Sequence, residues 1–304
     1  MKPFGLHSLI SPRNPDDLLE GNWSKTPFIT HGLNESVREI FDLPFLQSRE
    51  ALIRCWSGFI QAHLPDIADE SSSIEVRAED AEKLFKNRMG LLFNNVEKLS
   101  PFLRSAVEAV RSDLGLPAAT YGRCMVYATP DGKGTAPHFD QNINFVLQLQ
   151  GTKKWWLASN ESVENPTERH TIGQPITPEL STYAPVSFPT AMPEGSMTYT
   201  LEPGSVLFVP RGYWHCTEAA GDALALNFTY NQPAWLDVFL AALRSRLVLS
   251  PEWRELADGV GSTNQERRKR ARCEFDGLLL EHTTDLPNWS AENILDATEG
   301  ASEI

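Results

Sequence analysis

Along this chain the spacing of apolar positions changes twice, and each change marks a different kind of structure. Between Ser48 and Leu64 the apolar residues Leu52, Cys55, Trp56, Phe59 and Ile60 fall on one side of a helix. A short strand follows at Ile74 to Arg77, then a charged helix from Glu79 to Met89 stopped by Gly90. Ser100-Pro101 joins a side-chain N-cap to a first-turn proline; Leu103, Val107 and Val110 supply a buried stripe, and Gly115 the stop, so another helix is predicted there. Residues 34–115 are therefore expected to form a mainly helical front section. Ahead of it, WSKTPFI reads as a short extended piece flanking the main sheet.

From Tyr121 the segments become short, β-prone and punctuated. Strands are predicted at Tyr121 to Thr129, across His138, at Asn144 to Gln150, Lys153 to Ala158, Ser196 to Leu201, Ser205 to Val209 and Ala223 to Tyr230, with turns at Asp131-Gly132 and Gly151-Thr152. Strands of this number and length predict a mainly β fold with flanking helices, a double-stranded β-helix (jelly roll) with its core at about 119–231. The Pro-, Thr-, Ser- and Glu-rich stretch 159–195 breaks the rhythm. It is either a substrate-facing insertion or a poorly ordered spacer, and His170 within it reads as a solvated loop histidine.

Beyond Asn231 the helical period returns. Leu236, Phe239, Leu240, Leu243 and Leu247 form an apolar stripe, Ser250-Pro251 starts a further helix, and ERRKRAR at Glu266 to Arg272 lies on a solvated helix face. The expected organisation is a domain over 1–231 and a helical C-terminal region over 232–304.

Composition narrows the classes. A chain of 304 residues, 41% hydrophobic and 22% charged, can bury a sizeable core. The net charge of -13 argues against a nucleic-acid-binding surface and mildly favours a cationic protein or peptide partner. Four scattered cysteines, Cys55, Cys124, Cys216 and Cys273, form neither a zinc motif nor a disulfide framework. With no signal peptide and no membrane-length apolar run in the sequence, the expected location is the cytoplasm.

The candidate chemistry lies at TAPHFDQNINFVLQLQGTKK and GSVLFVPRGYWHCTEA. His138 and Asp140 are two positions apart in an extended segment, so both side chains leave one face. His-x-Asp alone is weak evidence, but His215 at the end of the apolar run Val206 to Val209 supplies a third ligand. Two histidines and a carboxylate on one face of a metal, with open positions opposite, is the arrangement of non-heme Fe(II) oxygenases. Lys153, thirteen residues after Asp140, returns toward that face if the two strands around Gly151 pair as a hairpin. There its ammonium would meet the far carboxylate of 2-oxoglutarate; the alternative is a solvated lysine at a hairpin exit.

These motifs resemble the JmjC-domain and cupin-like Fe(II)- and 2-oxoglutarate-dependent oxygenases, closest to the protein hydroxylases, over roughly Asn22 to Asn231. The resemblance implies that Thr135, three positions before His138, and Lys153 contact the cosubstrate. It places Asn144 and Asn227 near the chelating end, and Tyr127 facing the cosubstrate unless it is an ordinary core tyrosine. Bacterial ribosomal-protein hydroxylases with a similar NWSKTPF segment often carry arginine where Lys153 stands, and have a longer C-terminal portion.

The implied activity is hydroxylation of an amino-acid residue of a protein or peptide, using Fe(II), 2-oxoglutarate and O2. A small-molecule hydroxylase, an N-methyl-lysine demethylase and a non-oxygenase cupin metal enzyme are the alternatives. The resemblance also implies a homodimer through the C-terminal helices, with packing of those helices on the same chain's barrel as the other option.

Overall fold

The computed structural model describes residues 3–21, 23–64 and 72–300, so Asn22 and the stretch 65–71 lie outside the described residues. Contacts divide the chain into two compact units, one of residues 1–116 with 120–232, the other of 117–119 with 233–304.

The first unit is built on antiparallel strands, eleven among the described residues. They are β1 (Phe28–Thr30), β2 (Ile60–His63), β3 (Ser73–Val76), β4 (Leu91–Asn94), β5 (Tyr121–Thr129), β6 (Gly134–Phe139), β7 (Ile143–Ala158), β8 (His170–Thr171), β9 (Met197–Leu201), β10 (Val206–Val209) and β11 (Trp214–Asn231). One layer runs β1-β10-β7-β11-β5-β4-β2-β3, and a second is made by β8, β6, β9 and the other halves of β7 and β11. Strands β7 and β11 belong to both layers, which gives the jelly roll its two walls.

Both long strands bend at the same place. Gly151 has a positive φ of 66°, and the β7–β11 register shifts between Ala220 and Leu224. A Cβ on Gly151 would stand 2.2 Å from the carbonyl oxygen of Asp222, so both the backbone angle and the space require glycine. The predicted hairpin is therefore corrected: Asn144 to Gln150 and Lys153 to Ala158 are one bent strand. A glycine in a β-rich run marks a bend or close backbone approach as readily as a reversal. Ala223 to Tyr230 likewise extends back to Trp214, so His215 begins a strand rather than ending one.

The outer face of the first layer is covered by the helical part of the front section. Phe145, Phe208, Phe228 and Tyr230 pack with Leu6, Leu9, Ile40, Leu52, Leu103, Val107 and Val110 in one buried cluster. Strands buried on both faces read as continuous apolar runs, as in FVLQL, where the polar exceptions turn inward. Ser100 caps helix Pro101–Asp113 by accepting from the Leu103 amide at 3.4 Å, and Gly115 follows at φ 66°, as expected.

The front section departs from expectation elsewhere. The predicted helix over 48–64 is Arg49–Cys55 only, because Trp56 turns extended and Ile60–His63 pairs with β3 and β4. Ile60 is buried and Phe59 exposed, so the apolar spacing there serves a strand. The charged helix is Ala78–Lys86, and Arg88 at φ 67° makes the break assigned to Gly90. Three short strands, β2, β3 and β4, extend the sheet from within 34–115, whose other regular elements are helical.

The insertion is ordered, not a spacer. It contributes β8, which pairs with β6, and helix Pro178–Tyr183; Val163 and Leu180 pack with Phe139, Ala158 and Trp214. His170 is buried and stacked on Phe188 at 4.6 Å, so the solvated reading fails. In the second unit the helices are Trp235–Leu247, Gln265–Asp285 and Ala291–Gly300, and Ser250-Pro251 leads only to a short turn at Glu252–Arg254. No helix among the described residues is long and apolar enough to cross a membrane.

Candidate metal centre and its cavity

Strand pairing brings His215 to the candidate ligands His138 and Asp140. His138 on β6 lies directly opposite His215 on β11, and their rings are 4.1 Å apart between centroids. The chain leaves β6 after Phe139, and the Asp140 carbonyl accepts from the Gly212 amide at 2.8 Å, which ties the carboxylate's backbone to the turn before β11. Asp140 Oδ2 is 3.9 Å from His138 Nε2 and 3.7 Å from His215 Nε2. The ligand atoms of all three residues lie within 4.8 Å of one another.

The ring orientations suit a cation. His138 Nδ1 donates to the Ala136 carbonyl at 2.7 Å, and His215 Nδ1 to the Tyr213 carbonyl at 2.9 Å. A carbonyl only accepts, so each Nδ1 carries the proton and each Nε2 presents its lone pair to the common point. Trp155 stacks on His215 at 5.8 Å and 20°, and Phe139 meets Trp214 edge-on at 4.8 Å. Two imidazoles and a carboxylate converging from one side fit a metal with open positions opposite.

The centre opens into a cavity of about 160 Å³, and every sequence-predicted site residue lines it: Thr135, His138, Asp140, Asn144, Lys153, His215, Asn227 and Tyr127. Lys153 is 3% exposed. Its ammonium donates to Thr129 Oγ1 at 3.1 Å and stands 5.7 Å and 5.8 Å from the rings of Tyr127 and Trp155. Burial pushes its pKa down to about 8, and among the described residues no carboxylate pairs with it. A buried ammonium held by one hydroxyl and two ring faces suits an anionic partner. The solvated-lysine alternative is thereby excluded.

Thr135 shares a 3.0 Å hydroxyl contact with Thr217. Asn144 Oδ1 accepts from Thr229 Oγ1 at 2.6 Å, which turns the amide nitrogen toward other partners. Asn227 is buried and its Oδ1 has no hydrogen-bond partner. Buried polar atoms without partners are rare in native folds, so this one points to a ligand.

Sequence reasoning missed Thr129, Thr217, Arg123, Gln141, Asn142 and Arg169, all but Thr129 lining this cavity. Residues 123, 125, 127 and 129 alternate along β5, so Tyr127 already marked the inward face that also carries Arg123 and Thr129. Arg169 had no such signal, since it lies in the aperiodic insertion. Its Nε stands 3.2 Å from Asp140 Oδ1. Cys216, next to His215, does not line the cavity; burial raises its thiol pKa to about 11.

The JmjC domain model matches residues 116–238. The uncharacterized protein YxbC of Bacillus subtilis (strain 168) is 32% identical over 280 residues, which cover 90% of this chain and 84% of that protein. Ribosomal oxygenase 1 of Danio rerio is 33% identical over 180 residues, 53% of this chain; the chain spans only 31% of that relative's length. Among solved structures, Escherichia coli YcfD, a ribosomal oxygenase, in complex with cobalt and 2-oxoglutarate aligns with a TM-score of 0.53. That alignment is 17% identical over 88% of this chain and 67% of the other, a likeness of fold.

Proposed function

The chain belongs to the JmjC-domain family of 2-oxoglutarate-dependent oxygenases, and from that premise we propose that it hydroxylates an amino-acid residue of a protein or peptide. The observation that carries this reading is the convergence of His138, Asp140 and His215 in one cavity with the buried ammonium of Lys153.

His138, Asp140 and His215 would hold Fe(II). When bound, the iron couples decarboxylation of 2-oxoglutarate to succinate and carbon dioxide with dioxygen activation, one oxygen atom entering succinate and the other a substrate C–H bond. The protein's share is placement and exclusion of water. Lys153, with Thr129 behind it and Thr135 beside it, receives the far carboxylate of the cosubstrate; a dianion there restores the full charge of an ammonium that burial has weakened. Asn227, Asn144 and Tyr127 line the same cavity as the metal triad and Lys153, and are the further candidates for contact with the cosubstrate. No protein acid or base is needed for oxygen insertion.

Residues 1–231 are read as the oxygenase domain and 232–304 as a dimerisation element. Trp235, 79% exposed, with Leu236, Phe239 and Leu240 gives helix Trp235–Leu247 an apolar face that fits a second copy. Sedimentation should then give a dimer, lost in Trp235→Asp with Leu240→Asp. Four free cysteines and Fe(II) suit a reducing cytoplasm.

The test of the activity is aerobic incubation with Fe(II), 2-oxoglutarate and candidate peptides, following succinate and a mass gain of one oxygen. Asp140→Ala should abolish both with the fold intact; wild-type succinate release from that variant would remove the ligand assignment.

A further inference from the structure

The strands give the cavity a direction. Residues 129, 127, 125 and 123 follow one another along the inward face of β5; Thr129 holds Lys153, so Arg123 lies at the other end, about 20 Å of strand away. β6 runs the same way, from Thr135 near Lys153 to His138 and then Asp140. The segment after Asp140 continues into that far end: Asn144 pairs with Thr229, which itself pairs with Arg123. The metal centre is therefore between a cosubstrate end and a second end bounded by Arg123, Gln141, Asn142 and Arg169.

That second end is cationic and amidic. Among the described residues lining the cavity the one carboxylate is Asp140, and it faces the two histidines while Arg169 holds its other oxygen. A guanidinium or ammonium brought there would lose water beside two like charges with no carboxylate left to receive it. The Asn142 Oδ1 atom is buried without a hydrogen-bond partner, so the site presents an acceptor as well as the donors of Gln141 and the guanidiniums.

Resting on the oxygenase reading above, we propose that the residue modified at this centre has an uncharged side chain that both donates and accepts hydrogen bonds, a primary amide or a neutral imidazole, and that arginine, lysine and methylated lysine are rejected. An aspartyl target would satisfy the arginines but leave Asn142 Oδ1 unpaired and crowd Asp140. The overall charge of -13 does not conflict with this. The acidic surface draws in a basic partner, while the positive end of the cavity selects which of its residues enters.

The experiment is a set of peptides on basic scaffolds with one degenerate position spanning the natural residues and trimethyllysine, offered to the full chain with Fe(II), 2-oxoglutarate and air. Oxygen is mapped by tandem mass spectrometry and succinate is measured in parallel. The expected result is oxygen on asparaginyl, glutaminyl or histidyl residues in about tenfold or greater excess over arginyl and lysyl ones. Arg123→Glu should narrow that excess. Equal or preferred modification of arginyl, lysyl, methyl-lysyl or aspartyl residues overturns the proposal. Succinate release with no peptide gaining oxygen also overturns it and leaves the oxygenase reading standing, whereas no succinate under any condition overturns both.

Discussion

Arg169 Nε stands 3.2 Å from Oδ1 of Asp140, so the carboxylate that completes the metal triad is gripped from the insertion on one side and faces the histidines with its other oxygen. The contact is an ion pair rather than a directed hydrogen bond at that nitrogen. Partners of this kind orient metal ligands and typically change affinity by tens of fold. Arg169→Gln should weaken Mn(II) binding by about tenfold, measured by the electron paramagnetic resonance signal of free Mn(II), with Asp140→Ala as the non-binding reference. Unchanged affinity would make Arg169 a bystander.

On the proposed role, Lys153 would couple binding of the cosubstrate to pH. Burial lowers its pKa to about 8, below the unfolded value, so above pH 8 the side chain is mostly a neutral amine. The dissociation constant of 2-oxoglutarate should then rise with pH, approaching about tenfold per unit above 8. Stability has the opposite trend: below pH 8 the folded state bears the full cost of a buried ammonium, and that cost is relieved as pH rises from 8 toward the unfolded pKa. Lys153→Met should raise unliganded stability at pH 7 by about 1–3 kcal/mol and flatten its pH dependence, while binding of 2-oxoglutarate is lost. A variant that binds 2-oxoglutarate as the parent does would end the anion-grip role.

Asn227 presents a buried amide oxygen with nothing to bond. Replacing it with leucine should stabilise the unliganded protein by about 1 kcal/mol in urea unfolding and weaken binding of 2-oxoglutarate in the presence of Mn(II). Loss of stability instead would show that the amide serves the fold.

Gly151→Ala places a methyl 2.2 Å from the Asp222 carbonyl and forces an L-residue to φ 66°. A loss of about 3 kcal/mol or more is expected, with a fall in the midpoint of guanidinium unfolding. An unchanged midpoint would mean that the strands bend elsewhere.

Much of the site was legible because its chemistry sits on regular strands. His138, Asp140, His215 and Lys153 were readable from residue type and spacing, and Thr135, Asn144, Asn227 and Tyr127 from resemblance; all eight line one cavity. The hairpin proposed at Gly151 was wrong, yet Lys153 faces the centre because bending, like reversal, swings the second half of the strand across from the first. Ile60 was misread because apolar residues three and four apart also occur where a short helix gives way to a strand, and only pairing with β3 and β4 decides between them. Arg169 was invisible since its partner is 29 positions away in a stretch without period.

The two shared strands have a consequence for how the molecule breathes. His215 and Asn227 lie on one strand, Asn144 and Lys153 on the other, and the same two strands carry Phe145, Phe228 and Tyr230 into the main core. Peeling the catalytic wall away therefore means tearing the centre of the domain, so amide protons at both ends of β7 and β11 should exchange with solvent together, at the rate of global opening.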